Sequence, residues 1–208
     1  MDNPNNLLAR AYSLSSVTET LSLYEDWAAS YDQHLEGELK YTAPITVASM
    51  FSDWQPKKNI CVLDVGCGTG LVGAQLTEHK FDCIDGLDLS TDMLSQARKK
   101  EVYRDLFEID LNHPFILQQS SYAGVVSCGT FTHGHVGADA FQRVLELLEI
   151  DGIFACTIHR EIWLSAGFEN LFQELCAAGR MVVEKVCSLP FFAGAPPDGY
   201  YCIVRRTA

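Results

Sequence analysis

A glycine-rich turn directly after a short apolar run constrains the fold of this chain more than any other feature. Residues 62–71 read Val-Leu-Asp-Val-Gly-Cys-Gly-Thr-Gly-Leu, so the apolar run ends at Val65 and three glycines alternate with other residues after it. Glycines permit a tight turn and let the backbone approach a ligand closely. The N-terminus of a following helix would offer unpaired N–H groups and the positive end of its dipole. The segment therefore predicts a strand, a ligand-binding loop and a helix.

Short apolar runs and amphipathic segments alternate from residue 59 onward. The predicted strands cover residues 60–65, 83–89, 103–110, 123–128, 153–158, 181–187 and 200–205. The predicted helices end near residues 80 and 102 and, further on, cover residues 138–149 and 168–178. This alternation predicts a parallel sheet with right-handed crossovers. The last two strands flank a Pro/Gly-rich connection that is too poor in helix formers for a crossover, so we predict that they pair antiparallel.

The expected fold class is therefore α/β, a doubly wound and mostly parallel seven-stranded sheet with the last strand antiparallel. A length of 208 residues fits one domain with decoration. Residues 1–58 are predicted to form a tail and two lid helices, and residues 59–208 the core. The first lid helix starts near Thr18 and carries Leu21, Tyr24, Trp27 and Ala28 at helical spacing, and the second follows Pro44.

Composition limits the partners and the compartment. The net charge of −12 repels phosphodiester backbones, which argues against nucleic acid as a partner. The sequence contains no apolar run of membrane-spanning length and does not start with a signal-peptide pattern, so we expect a cytoplasmic protein without a membrane partner. The eight cysteines, including Cys61 and Cys83, are expected to be free thiols, and no spacing of metal ligands is present.

The glycines allow a second interpretation. Gly68, Gly70 and Gly73 match the dinucleotide fingerprint literally, and Asp88 lies where a ribose-binding acid is expected, which would indicate a nicotinamide-dependent reductase. However, the first glycine after the strand is Gly66, and Asp64 precedes it. A carboxylate there would repel a pyrophosphate, whereas it suits a cationic ligand.

Residues 62–71 resemble motif I of the class I S-adenosylmethionine-dependent methyltransferases. Later segments resemble further motifs of that family in order, namely residues 86–97, 108–111, 122–127 and 147–153. Residues 24–32 and 129–136 resemble, more narrowly, the Williams–Beuren syndrome region methyltransferase-like group. The resemblance implies S-adenosylmethionine as cofactor and methyl transfer by in-line displacement at its sulfonium.

The resemblance also implies roles for individual residues. Asp88 would bind the ribose hydroxyls, Asp110 and Leu111 the adenine, and Asp64 the glycine loop or the methionine ammonium. An exposed loop acid for Asp88, a turn aspartate for Asp110 and a helix-capping hydroxyl for Thr69 are the plainer alternatives. The full predicted cofactor set is Tyr31, Asp64, Gly66, Cys67, Gly68, Thr69, Gly70, Asp88, Leu89, Ser90, Met93, Asp110, Leu111, Ser127 and Cys128.

The acceptor is expected to be a small molecule, because the chain has no large insertion between its strands. His133 and His135 follow the fourth strand and are the candidate general bases, although they could instead orient their loop. Tyr31, His133, His135 and His159 are the candidate substrate contacts; a surface partnership with Arg160 or Glu161 is the alternative for His159. Core packing is the preferred role for Tyr24 and Trp27 and an equal alternative for Tyr31. A non-catalytic cofactor-binding partner protein is the other functional alternative.

Overall fold

The computed structural model describes residues 30–117, 121–132 and 136–208, together with residues 6, 7, 10, 19, 22, 23, 25, 27 and 28. After a short π-helical segment, Gln33–Glu38, the helices are α1 Ala43–Trp54, α2 Leu71–Glu78, α3 Thr91–Lys99, α4 Ala138–Leu145, α5 Ile162–Ser165 and α6 Phe168–Ala177. The strands are β1 Cys61–Val65, β2 Cys83–Asp88, β3 Leu106–Glu108, β4 Tyr122–Phe131, β5 Leu148–His159, β6 Met181–Leu189 and β7 Gly199–Arg206.

The seven strands form one sheet in the order β3-β2-β1-β4-β5-β7-β6. The pairs β1–β2, β1–β4, β2–β3 and β4–β5 are parallel, whereas β7 runs antiparallel to both β5 and β6. The predicted fold class is confirmed. The strand order reverses between β1 and β4, and open α/β sheets bind ligands in the crevice at such a point.

Apolar side chains cover both faces of the sheet. On one face, phenylalanines of β4, β5, α4 and α6 form a fully buried cluster; Phe141, for example, stacks on Phe154 at 5.0 Å between ring centroids. On the other face, α1 and α2 pack on the sheet through Phe51, Val72 and Leu76. The central strands β1, β2, β4 and β5 are therefore buried on both faces, which is the environment that a parallel sheet requires, whereas the edge strand β6 is mostly exposed.

Some predicted boundaries differ from the observed ones. The predicted helix over residues 138–149 ends at Leu145, because Leu148 already pairs with Tyr122 as the first residue of β5. The predicted third strand over residues 103–110 pairs with β2 only over Leu106–Glu108. The short helix α5 has no counterpart in the prediction.

The prediction that all eight cysteines are free thiols is wrong for one pair. Cys61 and Cys83 form a disulfide, with 4.7 Å between their Cα atoms. They are the first residues of β1 and β2 and lie directly opposite each other in the parallel register, which brings the two sulfurs together. The other six cysteines are free. This bond lies at the ends of β1 and β2 remote from the glycine loop.

In the part of the chain that the structure describes, no helix has the length and apolar content needed to cross a bilayer. Among the same residues, no group of three or more His, Cys, Asp and Glu side chains could hold a metal ion.

We expect Phe141→Ala to lower the free energy of unfolding by about 3–5 kcal/mol, because it removes a fully buried ring and leaves a cavity. Chemical denaturation measures this difference. Ile150→Ala is the control, since Ile150 is half exposed and should change the free energy far less. A loss below about 1 kcal/mol for Phe141→Ala would contradict the packing described here.

Candidate active site

The glycine loop uses the register that begins at Gly66. Gly66, Gly68 and Gly70 all have positive φ, at 66°, 54° and 90°, a region that other residues adopt only with strain. A Cβ on Gly66 would collide with the Thr130 side chain, whereas the space around Gly68 is open to 4 Å. Gly66, the glycine directly after β1, is thus part of the tight turn, which is the register of motif I.

Asp88 joins the loop to the end of β2. Its carboxylate accepts a hydrogen bond from the Gly68 N–H at 2.8 Å and another from the Ser90 N–H at 2.9 Å. Ser90 in turn caps α3, because its hydroxyl oxygen accepts from the Met93 N–H. Burial raises the pKa of Asp88. Asp88 is thus anchored at the strand end and is not a freely exposed loop acid.

Asp64 is a fully buried carboxyl group directly beneath the loop. The Tyr103 hydroxyl donates to its Oδ2 atom at 2.7 Å, and its Oδ1 atom has no hydrogen-bond partner among the described residues. Burial raises the pKa of Asp64 to about 7; the Tyr103 hydrogen bond opposes this shift and the nearby Asp88 charge adds to it. A cation placed at Oδ1 would complete its interactions.

Asp110 and Leu111 follow β3 at the same edge of the sheet. The Asp110 carboxylate accepts from the Asn112 N–H at 2.9 Å, which is the turn geometry named above as the plainer alternative. Leu111 is buried, and its carbonyl accepts from the Arg143 guanidinium at 2.6 Å. The guanidinium therefore fixes the backbone of this turn, and the predicted adenine contacts stay a prediction.

The end of β4 lies beside the end of β1. The Ser127 hydroxyl donates to the Val65 carbonyl at 2.8 Å, so this side chain is engaged in strand contacts. The Cys128 sulfur lies 3.3 Å from the Tyr41 hydroxyl. Burial raises the thiol pKa of both Cys67 and Cys128, so neither side chain is a thiolate nucleophile near neutral pH.

The predicted lid contacts the loop through Asp32. Its two carboxylate oxygens accept from the Thr69 hydroxyl and pair with the Lys100 ammonium. The capping alternative for Thr69 is wrong, because Gly70 precedes α2 and the Thr69 hydroxyl donates to Asp32. Tyr31 packs edge-on against Trp27, with 4.8 Å between ring centroids.

The remaining predictions concern aromatic side chains and histidines. Trp27 is buried in an apolar cluster, as expected, whereas Tyr24 lies outside the described residues. His133 and His135 also lie outside them. His159 is buried beside Phe191, and its Nδ1 accepts from the Glu161 N–H at 3.3 Å, so it has the Glu161 partner of the plainer alternative, although this contact is not on the surface. Leu89 follows β2, Ser90 caps α3 and Met93 lies in its first turn, and their predicted cofactor contacts stay predictions.

Several residues of the site carry no recognisable signal in the sequence. They form contacts with residues far away along the chain, and they are Tyr41, Lys100, Tyr103 and Arg143. Tyr103, for instance, lies 39 positions from Asp64. Only the apolar character of the surrounding runs marked them as partly buried.

Comparisons with known proteins agree with this geometry. A family described as "Methyltransferase domain" matches residues 62–152. Human methyltransferase-like protein 27 is 31% identical over 137 residues, which are 64% of this chain and 56% of that protein. The chain thus spans about half the length of this curated relative.

Two solved structures share the fold. The 1,6-didemethyltoxoflavin-N1-methyltransferase of Burkholderia thailandensis, solved with 1,6-didemethyltoxoflavin and S-adenosylhomocysteine, has a TM-score of 0.61 at 18% identity, over 100% of this chain and 92% of that one. The cyclase SpnF has a TM-score of 0.69 at 15% identity, over 93% and 97%. At these identities the likeness concerns the fold alone.

The fold, the glycine loop and the match over residues 62–152 are those of a class I S-adenosylmethionine-dependent methyltransferase domain, as the motifs predict. The cofactor of such domains is S-adenosylmethionine. The narrower resemblance is supported by the human relative, a methyltransferase-like protein. The residues present fit the cofactor, because the open space at Gly68 admits a ligand and the unpartnered Asp64 Oδ1 suits its cationic end.

We expect Asp64→Asn to stabilise the ligand-free protein more at high pH than at low pH. The folded-state pKa of Asp64, about 7, lies above its unfolded value, so the protonated form is favoured in the fold and stability is lost as pH rises through about 7. Asparagine carries no such penalty, and the gain should reach up to about 4 kcal/mol at high pH.

Denaturation of both proteins at about pH 5 and about pH 9 measures this gain. Asp82→Asn is the matched control, because Asp82 is exposed just before β2, and an exposed substitution should change the free energy of unfolding by less than about 0.5 kcal/mol. A gain for Asp64→Asn that is the same at both pH values would show that Asp64 is not a buried carboxyl with a raised pKa.

Proposed function

We propose that this protein transfers the methyl group of S-adenosylmethionine to a small-molecule acceptor. The observation that carries the proposal is the placement of two acids, the buried Asp64 and the half-buried Asp88, at neighbouring strand ends around an open glycine loop. A dinucleotide would bring phosphates toward these acids, whereas S-adenosylmethionine brings a sulfonium and an ammonium.

In this proposal, different residues of the chain bind different parts of the cofactor. Asp88 accepts from the ribose hydroxyls, and the Asp64 Oδ1 atom accepts from the ammonium. Leu111 and Asp110 bind the adenine, with Arg143 holding the turn that carries them. When bound, the cofactor supplies an electrophilic methyl group on a positively charged sulfur.

The acceptor is proposed to bind beside the ends of β4 and β5. His159, Phe191, Phe192 and Tyr41 lie in this region, where the Tyr41 and Phe192 rings are 5.1 Å apart and their backbones form a bridge. The connections after these strands are short, residues 132–137 after β4 and residues 160–161 after β5. Short connections leave little material for a macromolecular platform, which supports a small acceptor.

General base catalysis is assigned in this proposal to His133 or His135, on the basis of their position directly after β4 in the sequence. His159 is assigned to substrate positioning, because it is buried at the end of β5. Positioning supplies much of the rate in such reactions, since it places the acceptor atom in line with the breaking bond. An acceptor that is already anionic would need no base.

We also propose a cytoplasmic location and no nucleic-acid or membrane partner. The net charge of −12 and the six free thiols support this proposal. The Cys61–Cys83 bond lies at the strand ends remote from the glycine loop, so the proposed chemistry does not depend on the redox state of this pair.

Calorimetric titration tests the cofactor assignment. We expect S-adenosylmethionine and S-adenosylhomocysteine to bind and NADH not to bind, and we expect Asp88→Ala to weaken both sulfur ligands on the order of 100-fold, since it removes hydrogen bonds to a charged acceptor. Asp82→Ala, a change of the same kind at the start of β2, should leave binding unchanged. Equal affinity of Asp88→Ala and the unchanged protein would overturn the role of Asp88, and preferential NADH binding would overturn the proposed reaction.

Transfer of a radiolabelled methyl group tests the acceptor class. Incubation with a cell extract, followed by separation by molecular mass, should place the label in the small-molecule fraction; label only in protein or RNA would overturn the proposal. Once the acceptor is isolated, His133→Gln and His135→Gln can be compared. The substitution that removes the general base should lower kcat on the order of 100-fold without changing the affinity for S-adenosylhomocysteine. His79→Gln, at the end of α2, is the matched control.

A further inference from the structure

Tyr103 occupies a slot that is lined by glycines. A Cβ on Gly70 would lie 2.9 Å from its ring, a Cβ on Gly86 would lie 3.0 Å from it, and a Cβ on Gly73 would collide with its hydroxyl. These glycines come from the loop, from β2 and from α2. Glycines in three separate elements therefore make room for the Tyr103 side chain, which reaches the end of β1.

The Tyr103 hydroxyl ends at Asp64. It donates to the Oδ2 atom at 2.7 Å, and this bond leaves Oδ1 as the atom without a partner. A carboxylate on a short side chain can turn about its bond to Cβ, so one fixed oxygen also fixes the direction of the other. The Tyr103 hydroxyl thus fixes the orientation of the Asp64 carboxylate and also gives one of its two oxygens a hydrogen-bond partner.

We propose that Tyr103 is a positioning residue for the cofactor, which holds Asp64 so that Oδ1 faces the ammonium of the methionine end. This inference rests on the contact between Asp64 and the ammonium under "Proposed function" and names the residue that makes this contact effective. Tyr103 does not touch the cofactor in this arrangement. It acts through Asp64.

The electrostatic surroundings of Asp64 give Tyr103 a second effect. Burial and the Asp88 charge raise the pKa of Asp64, and the hydrogen bond from Tyr103 lowers it. The other titratable groups that act here are Cys67 of the glycine loop and Cys128 of β4, whose thiols stay neutral because burial raises their own pKa. Without the phenol, Asp64 would ionise only at higher pH and would be a poor ammonium acceptor near neutrality.

Tyr103→Phe tests the inference, because phenylalanine keeps the ring in its slot and removes only the hydroxyl. The measurement is calorimetric affinity for S-adenosylhomocysteine, which carries the ammonium, at several pH values between about 5 and 9. In the unchanged protein the affinity should rise through about pH 7 as Asp64 ionises. In Tyr103→Phe the midpoint should move to higher pH, and affinity at about pH 7 should fall on the order of 10-fold.

A second probe and a matched variant make the result specific. Methylthioadenosine has the same nucleoside without the amino-acid end, so its affinity should not change in Tyr103→Phe. Tyr122→Phe is the matched control, because Tyr122 donates at 2.8 Å to another buried acid, Asp85, whose side chain lies on the opposite face of the sheet from Asp64. It should leave the pH midpoint unchanged.

The outcomes separate this inference from the proposal beneath it. If Asp64→Asn leaves S-adenosylhomocysteine affinity unchanged, the contact with the ammonium is wrong. Suppose instead that Asp64→Asn weakens S-adenosylhomocysteine binding, but Tyr103→Phe lowers the affinity equally at every pH or weakens methylthioadenosine binding as much. Tyr103 is then only structural, and this inference alone is overturned.

Discussion

A carboxyl group buried without charge compensation at the end of β1 is the constraint on which the site depends. Asp64 is fully buried, and burying an ionised group costs free energy unless it is paired. The Tyr103 hydroxyl donates to the Oδ2 atom, whereas the buried Oδ1 atom has no hydrogen-bond partner among the described residues. The ligand-free protein therefore holds an unsatisfied acceptor directly below a loop that has room for a ligand. A cationic ligand gains most from such a site.

The crevice above this acid is shaped by β4. The Ser127 and Thr130 hydroxyls both donate to the Val65 carbonyl, at 2.8 and 3.0 Å, and so use the last acceptor of β1 twice. Between them the register of β4 shifts, and the Gly129 N–H turns to the Thr157 hydroxyl of β5. The ends of three strands are thereby fixed to one another by side chains. These three hydrogen bonds position the walls of the crevice above Asp64.

Local patterns in the sequence predict the strands, the loop and the acids of motif I because each is determined by neighbouring residues. A strand followed by glycines places Gly66, Gly68 and Gly70 without knowledge of any distant contact. The partners that complete the site are different. The Tyr103–Asp64 bond spans 39 positions and the Lys100–Asp32 pair spans 68, and neither residue type is unusual where it occurs. The Cys61–Cys83 pair depends on strand register, which periodicity alone does not specify.

Packing divides the N-terminal segment at a different place from the predicted boundary at residue 58. Helix α1 belongs to the core, because Phe51 is fully buried against Phe81 at 5.2 Å and closes over Gly124 of β4. The segment before Lys40 is held to the loop by Asp32, whose ion pair with Lys100 is a quarter to a third exposed. Partly exposed ion pairs contribute little free energy. Trp27 and Leu35 of that segment also pack with Leu71 in a buried apolar cluster, so apolar burial, more than this ion pair, holds the segment against the start of α2.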